Sequence, residues 1–193
     1  MVGYEGFANE LYAVRGGLRH NFCKSPRVYL KTMSHLQLIE SKIAKPDEVV
    51  DRIVSLGRPL VFTNGVFDLL HRGHVTCLAR ARELGASLIV ALNSDESVKR
   101  LGKDIDRPIN QLADRLAVIA ALQSVDLVTY FEEDTPLELI LRLKPNLIVK
   151  GGDWEPSQIV GNEEAPGWGG KVVSIPFEYQ ISTTETLKKI RAR

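Results

Sequence analysis

From Pro46 onward, apolar residues alternate between short continuous runs and stripes at helical spacing. Pro46 suits a first helical position, Val49, Val50, Ile53 and Val54 form a stripe, and Gly57 suits a helix stop. Residues 59–63 read as a buried strand, followed by a helix over about 73–84 that Gly85 ends. Residues 87–92 form the next strand, and Ser94 caps a short helix through Leu101. Residues 110–122 are helical, with Leu112, Leu116, Ile119 and Ala120 on one side. Residues 126–130 are strand-like, and Thr135-Pro136-Leu137-Glu138 has capping-box spacing for a helix to about Leu143. Residues 146–150 and Lys171–Ile175 are further strands, and a helix over 182–191 closes the pattern.

Strands of four to six apolar residues alternating with helices call for a parallel sheet covered on both faces. Right-handed crossovers make this a doubly wound, Rossmann-like α/β fold with a single main domain. Such folds bind ligands beyond the carboxyl ends of their strands, near the switch in strand order. The residues that follow Thr63, Leu92, Lys150 and Ile175 are therefore where chemistry is expected.

Residues 1–32 read differently, with glycines, scattered aromatics and no lasting periodicity. They carry five basic residues (Arg15, Arg19, Lys24, Arg27, Lys31) against Glu5 and Glu10. A flexible arm, a targeting peptide and a natural start at Met33 are the three readings, with the last preferred and the leader expected to be dispensable. Residues 33–58 are then a helical lead-in, and 59–193 the main domain. The whole chain of 193 residues carries a net charge of +1, which gives no general reason to expect nucleic acid or a membrane as partner. Cys23 and Cys77 show no ligand spacing and read as free thiols in a reducing compartment. No apolar run approaches the ~20 residues a membrane span needs, so a cytoplasmic protein is expected.

Three segments follow strands and carry candidate chemistry. The first is Asn64-Gly65-Val66-Phe67-Asp68-Leu69-Leu70-His71-Arg72-Gly73-His74. It sets two imidazoles three residues apart at a helix start, with Gly73 leaving room for a phosphate to approach backbone N–H groups. A His-x-x-His alone is more often a surface pair; its place after a buried strand favours a ligand. The second is Lys150-Gly151-Gly152-Asp153-Trp154, where paired glycines permit close approach, Asp153 can accept hydrogen bonds and Trp154 can stack. A plain turn is the competing reading. The third is Ile181-Ser182-Thr183-Thr184-Glu185, a capping-box spacing that also places three hydroxyls at a helix N-terminus, an anion cradle. There is no Gly-x-x-x-x-Gly-Lys-Ser/Thr loop, no Gly-x-Gly-x-x-Gly after a strand, and no third ligand for a zinc site. Together the three segments suggest triphosphate handling.

The run Thr63-Asn64-Gly65-Val66-Phe67-Asp68-Leu69-Leu70-His71-Arg72-Gly73-His74, with Ile181-Ser182-Thr183-Thr184, resembles the His-x-Gly-His nucleotidyltransferase superfamily over about residues 59–191. Within it, glycerol-phosphate cytidylyltransferases usually carry an Arg shortly after the Pro that precedes the last helix; here Phe177 follows Pro176. Residues 92–100, 106–110 and 149–154 look more like heptose 1-phosphate adenylyltransferases, which supply ADP-heptose for lipopolysaccharide core synthesis. One departure is Tyr179-Gln180-Ile181 where similar proteins often have Gly before Ser-Thr-Thr.

This resemblance implies transfer of AMP from ATP to a sugar 1-phosphate, with pyrophosphate released and Mg²⁺ accompanying the triphosphate. His71, His74, Ser182 and Thr183 are the implied catalytic residues. Nucleotide contacts are implied for Thr63, Asn64, Gly65, Phe67, Gly73, Arg115, Gly151, Gly152, Asp153 and Thr184, besides those four. Asp68, Asn93, Lys103, Arg107, Lys150 and Trp154 are implied on the substrate side. Lys99 and Arg100 are further candidate phosphate cations. No residue is implied as a metal ligand, and similar proteins are often homodimers. A cytidylyltransferase acting on glycerol 3-phosphate and a nucleotide-sensing protein without turnover are the competing functions.

Overall fold

Among the described residues, five short strands rich in branched apolar residues pair in parallel in one sheet, ordered third, second, first, fourth, fifth by their place along the chain. The computed structural model describes residues 33–102, 106–179 and 181–192. The leader over 1–32, with Cys23, therefore lies outside the described residues, as does Lys103. In chain order the elements are α1 (His35–Ser41), α2 (Val49–Ile53), β1 (Leu60–Gly65), α3 (Arg72–Glu83), β2 (Ser87–Asn93), α4 (Asp95–Arg100) and α5 (Leu112–Ala120). They continue with β3 (Leu127–Phe131), α6 (Leu137–Leu143), β4 (Leu147–Gly151), two short 3-10 turns, β5 (Lys171–Ile175) and α7 (Thr183–Arg191).

Successive side chains of β1 point to opposite faces, and each face has its own core. Leu60 and Phe62 join Ile89, Leu127, Ile148, Ile140 and Leu143 on the face covered by α2 and α6. Val61 joins Leu88, Val90, Val128 and Val149 against Leu78 and Ala81 of α3 and Leu116 and Ile119 of α5. Burial on both faces is why these strands read as continuous apolar runs. The doubly wound α/β reading holds, and the switch in strand order falls between β1 and β4.

Two local expectations need correction. The helix expected to begin at Pro46 is a single short α2, with Val54 beyond it and exposed. Its neighbourhood is not wholly helical, because residues 42–44 run alongside the outer edge of β3: Val128 N–H donates to the Lys42 carbonyl and Ala44 N–H to the Val128 carbonyl. That pairing covers an otherwise open sheet edge. Thr135 does not cap α6; Pro136 occupies the N-cap position, with no side-chain hydrogen bond, and Lys144 closes the helix at φ 44°. Gly85 ends α3 as expected, directly after the C-cap Leu84, and does so without a positive φ. A side chain there would sit 2.4 Å from the Pro59 carbonyl oxygen, so close packing of the helix end on β1 demands glycine.

Candidate active site

β1 extends two residues beyond its apolar run, because Asn64 and Gly65 still pair with Ala91 and Leu92 of β2. The chain then turns through Phe67, which is held at φ 49°, a conformation rare for a bulky residue and typical of functional loops. The turn delivers His71 to the N-cap of α3, where its Nδ1 accepts the His74 N–H at 3.4 Å. That bond leaves the proton of a neutral His71 ring on Nε2. The His71 and His74 rings stack with centroids 3.7 Å apart and an interplanar angle of 20°, and Phe67 meets His74 edge-on at 5.1 Å. His74 Nδ1 is buried with no hydrogen-bond partner among the described residues. A buried imidazole nitrogen without a partner is costly unless a ligand or water completes it.

Electrostatics at this pair favour neutral rings in the ligand-free chain. Burial lowers the pKa of His71. For His74, burial, then the neighbouring His71 and Arg107, lower the value from 6.5 to about 4, against an opposing hydrogen bond to the Leu69 carbonyl. The folded state therefore disfavours protonated His74. Its contribution to stability is complete above the unfolded pKa of 6.5 and is lost as pH falls from there through about 4. Discounted for the ring's residual contact with solvent, this loss should be on the order of 2 kcal/mol. Urea unfolding of the native chain and of His74→Asn at pH 7 and pH 4.5 should show a smaller acid loss in the variant; equal losses would refute the assignment.

Beneath the histidine loop lies a scaffold of buried charge. Asp68 is 2% exposed and accepts the Arg107 Nε–H at 2.8 Å and the backbone N–H groups of Ile109 and Asn110. The Asn110 side chain donates back to the Asp68 carbonyl. Arg115, 1% exposed, donates to the carbonyls of Val66 and Asn110 and to Asp95 at the start of α4. Arg115, expected beside a phosphate, has its guanidinium hydrogen-bonded to protein oxygens of the loop and of α4, which pin the loop. Asp68 and Arg107, expected on the substrate side, are likewise engaged with each other. Lys99 and Arg100 lie on the exposed side of α4, paired with Glu96 and Asp134.

The second expected segment follows β4, beside β1. Thr63 Oγ1 donates to the Val149 carbonyl, and Lys150 Nζ lies 3.5 Å from Asn64 Oδ1, tying the two strand ends together. Trp154 Nε1–H donates to the Gly151 carbonyl, and its ring lies 5.9 Å from Lys150 Nζ. A side chain on Gly151 would come within 2.7 Å of Cys77 Sγ and 2.9 Å of Phe177, so glycine is needed for packing. Gly152 has φ 116°, and Asp153 is exposed at the tip of this turn. Neither Cys77 nor Phe177 was expected at this point. Cys77 sits on the half-buried side of α3 without any motif, and burial raises its thiol pKa. Asn93, at the end of β2, donates to Ser97 Oγ.

The third segment begins α7. Ser182 Oγ accepts the Glu185 N–H at 3.1 Å, but Glu185 pairs with Lys188, so only half of the expected capping box forms. Ser182 and Thr184 are exposed, whereas Thr183 is buried with Oγ1 3.5 Å from the Leu69 carbonyl. The Tyr179 carbonyl lies 3.4 Å from where a Gly73 side chain would begin. Two helix N-termini, α3 and α7, thus lie side by side at the carboxyl ends of β1 and β4. The N–H groups and positive dipole ends of two helix starts are the features that attract an anion. Among the described residues no group of three His, Cys, Asp or Glu side chains is placed to hold a metal ion, and no helix is long and apolar enough to cross a membrane.

Residues 62–188 match the model of the cytidylyltransferase-like family. Over 154 residues the chain is 57% identical to D-beta-D-heptose 1-phosphate adenylyltransferase of Bordetella bronchiseptica, covering 79% of this chain and 95% of that protein. It is 55% identical over 135 residues to the bifunctional protein HldE of Salmonella enteritidis, covering 70% of this chain but only 28% of that larger protein. Among solved structures, a lipopolysaccharide core biosynthesis protein from Thermoplasma volcanium aligns with a TM-score of 0.52 and 28% identity, over 63% of this chain and 98% of that one. Pantoate-beta-alanine ligase from Francisella tularensis, at 16% identity and a TM-score of 0.52 over 78% of each chain, shares the fold alone. The chain belongs to the cytidylyltransferase-like family of nucleotidyltransferases, in the group that includes heptose 1-phosphate adenylyltransferase.

Proposed function

We propose that this chain transfers AMP from ATP to a heptose 1-phosphate, giving ADP-heptose and pyrophosphate. The observation that carries this reading is the stacked His71–His74 pair, with its buried unpartnered Nδ1, set against the hydroxyl-bearing start of α7. An oxygen of the sugar phosphate attacks the α-phosphorus, and the bond from that phosphorus to the β-phosphate bridging oxygen breaks. The attacking phosphate is already ionised at neutral pH, so no general base is required. Catalysis then consists of alignment and of stabilising charge on the α-phosphate and the leaving group.

In this reading His71 and His74 face the α-phosphate, His71 offering its Nε2–H. His74, neutral in the free chain, takes up a proton as the triphosphate's charge arrives and donates through the nitrogen that otherwise lacks a partner. Ser182, Thr183 and the first N–H groups of α7 hold the β- and γ-phosphates. Asn64 lies on the nucleotide side, Lys150 and Trp154 border the sugar side, and Arg115 and the Asp68–Arg107 pair keep the loop rigid. Mg²⁺ would be held chiefly by the phosphate oxygens that bring it.

Pyrophosphate release measured with ATP and a panel of sugar phosphates tests the assignment. Turnover should appear with heptose 1-phosphate; binding of ATP without turnover on any acceptor would favour a sensing role instead. The nucleotide preference is a separate expectation. Phe177 stands where cytidylyltransferases usually carry an arginine, and it packs on Gly151 and Gly152. ATP should therefore be preferred over CTP when both compete, and equal or better use of CTP with glycerol 3-phosphate would move the chain to the cytidylyltransferase branch.

A further inference from the structure

The segment between β5 and α7 is bound along one side of the histidine helix. Phe177 packs against Gly151 and Gly152 beside Cys77 of α3. Glu178 forms an ion pair with Arg80 of α3. The Arg72 guanidinium lies over the Tyr179 ring, 3.9 Å from its centroid, and the Tyr179 carbonyl abuts Gly73. Three consecutive residues thus fasten the approach to Ser182 onto α3. Arg72 is the first residue of α3 and directly follows His71, so the stack ties the start of α3 to the chain three residues ahead of Ser182, the N-cap of α7.

We propose that Tyr179, through its stack with Arg72, is a positioning residue that sets the spacing between His71–His74 and Ser182–Thr183, so that both grip one triphosphate. A guanidinium over an aromatic face attracts it electrostatically and restricts both groups, which suits a clamp between the start of α3 and the approach to α7. The ring face, and not the phenolic hydroxyl, is the working part. Because the clamp acts on the nucleotide, the acceptor sugar should not feel it.

The proposal rests on ATP as the ligand of this site, and binding and turnover separate the two ideas. ATP affinity by calorimetry and steady-state KM values should be measured for the native chain, Tyr179→Leu, Tyr179→Phe and Arg72→Gln. Tyr179→Leu should weaken ATP binding about five- to tenfold and raise the ATP KM in step, with the heptose 1-phosphate KM unchanged. Tyr179→Phe should stay within about twofold of the native chain, because an aromatic ring retains the cation–π contact. Native-like ATP binding by Tyr179→Leu, or a Tyr179→Phe as weak as the leucine variant, would overturn it. If Tyr179→Leu folds poorly, Arg72→Gln breaks the same contact from the other side, and native-like ATP affinity there overturns it equally. A native chain that binds ATP but adenylylates no sugar phosphate would sink the proposed reaction and leave this affinity test intact.

Discussion

His74→Ala should fold and lose about 10²–10³ in kcat, with a smaller change in ATP KM. A positioned donor to the transferring phosphoryl group that acts mainly in the transition state is worth about 2.7–4 kcal/mol. His74 has the features such a donor needs. Its ring is held by the stack on His71 and the edge of Phe67, and its Nδ1 is buried with no partner among the described residues. A residue that served only to fill space would not leave a buried nitrogen unpaired, since hydrogen bonding would have been cheaper to satisfy or omit. Removing the ring also removes a half-buried group, so some stability is lost, and circular dichroism with a melting curve must accompany the kinetics. A folded His74→Ala that turns over near the native rate would remove the histidine pair from the mechanism.

Much of this site was legible because its parts are local in sequence. The apolar runs located the five strands of the described sheet, and the three candidate segments each come after a strand, so a parallel sheet places them toward one rim. What stayed hidden depends on contacts between distant residues. Arg115 lies in a helix whose apolar stripe gives no hint that its charged neighbour is buried; only the folded loop supplies the carbonyls of Val66 and Asn110 that satisfy it. Asp68 and Arg107 are 39 residues apart, and neither carries a local signal of its partner. Thr135 failed as a cap although its spacing was suitable, because the helix begins one residue later, with Pro136 in the cap position. The stack of Arg72 on Tyr179 joins residues from nearly opposite ends of the domain, and its only trace in sequence was the absence of a glycine before Ser182.

Ser182→Asp should yield a stable protein with almost no adenylyl transfer. Ser182 has a structural duty, since its Oγ accepts the Glu185 N–H at the head of α7. Ser182→Ala would remove that cap and cost about 0.5–2 kcal/mol, so a loss of activity there would be ambiguous. Aspartate caps a helix about as well as serine and interacts favourably with the positive end of the helix dipole, so Ser182→Asp should keep the melting temperature close to native. Its carboxylate would nevertheless stand where the β- and γ-phosphates are proposed to bind. Ser182 is exposed and its neighbour Thr183 reaches the Leu69 carbonyl beside the histidines, so the new charge would face the incoming anion at the same helix start. Two like charges about 4 Å apart near a protein surface repel by about 4 kcal/mol before screening, enough to weaken ATP binding by two orders of magnitude or more. Calorimetry with ATP and a thermal melt on the same sample decide the matter. Loss of ATP binding with an intact melt assigns Ser182 to the phosphate cradle, whereas retention of both native stability and native ATP turnover would reduce it to a helix cap.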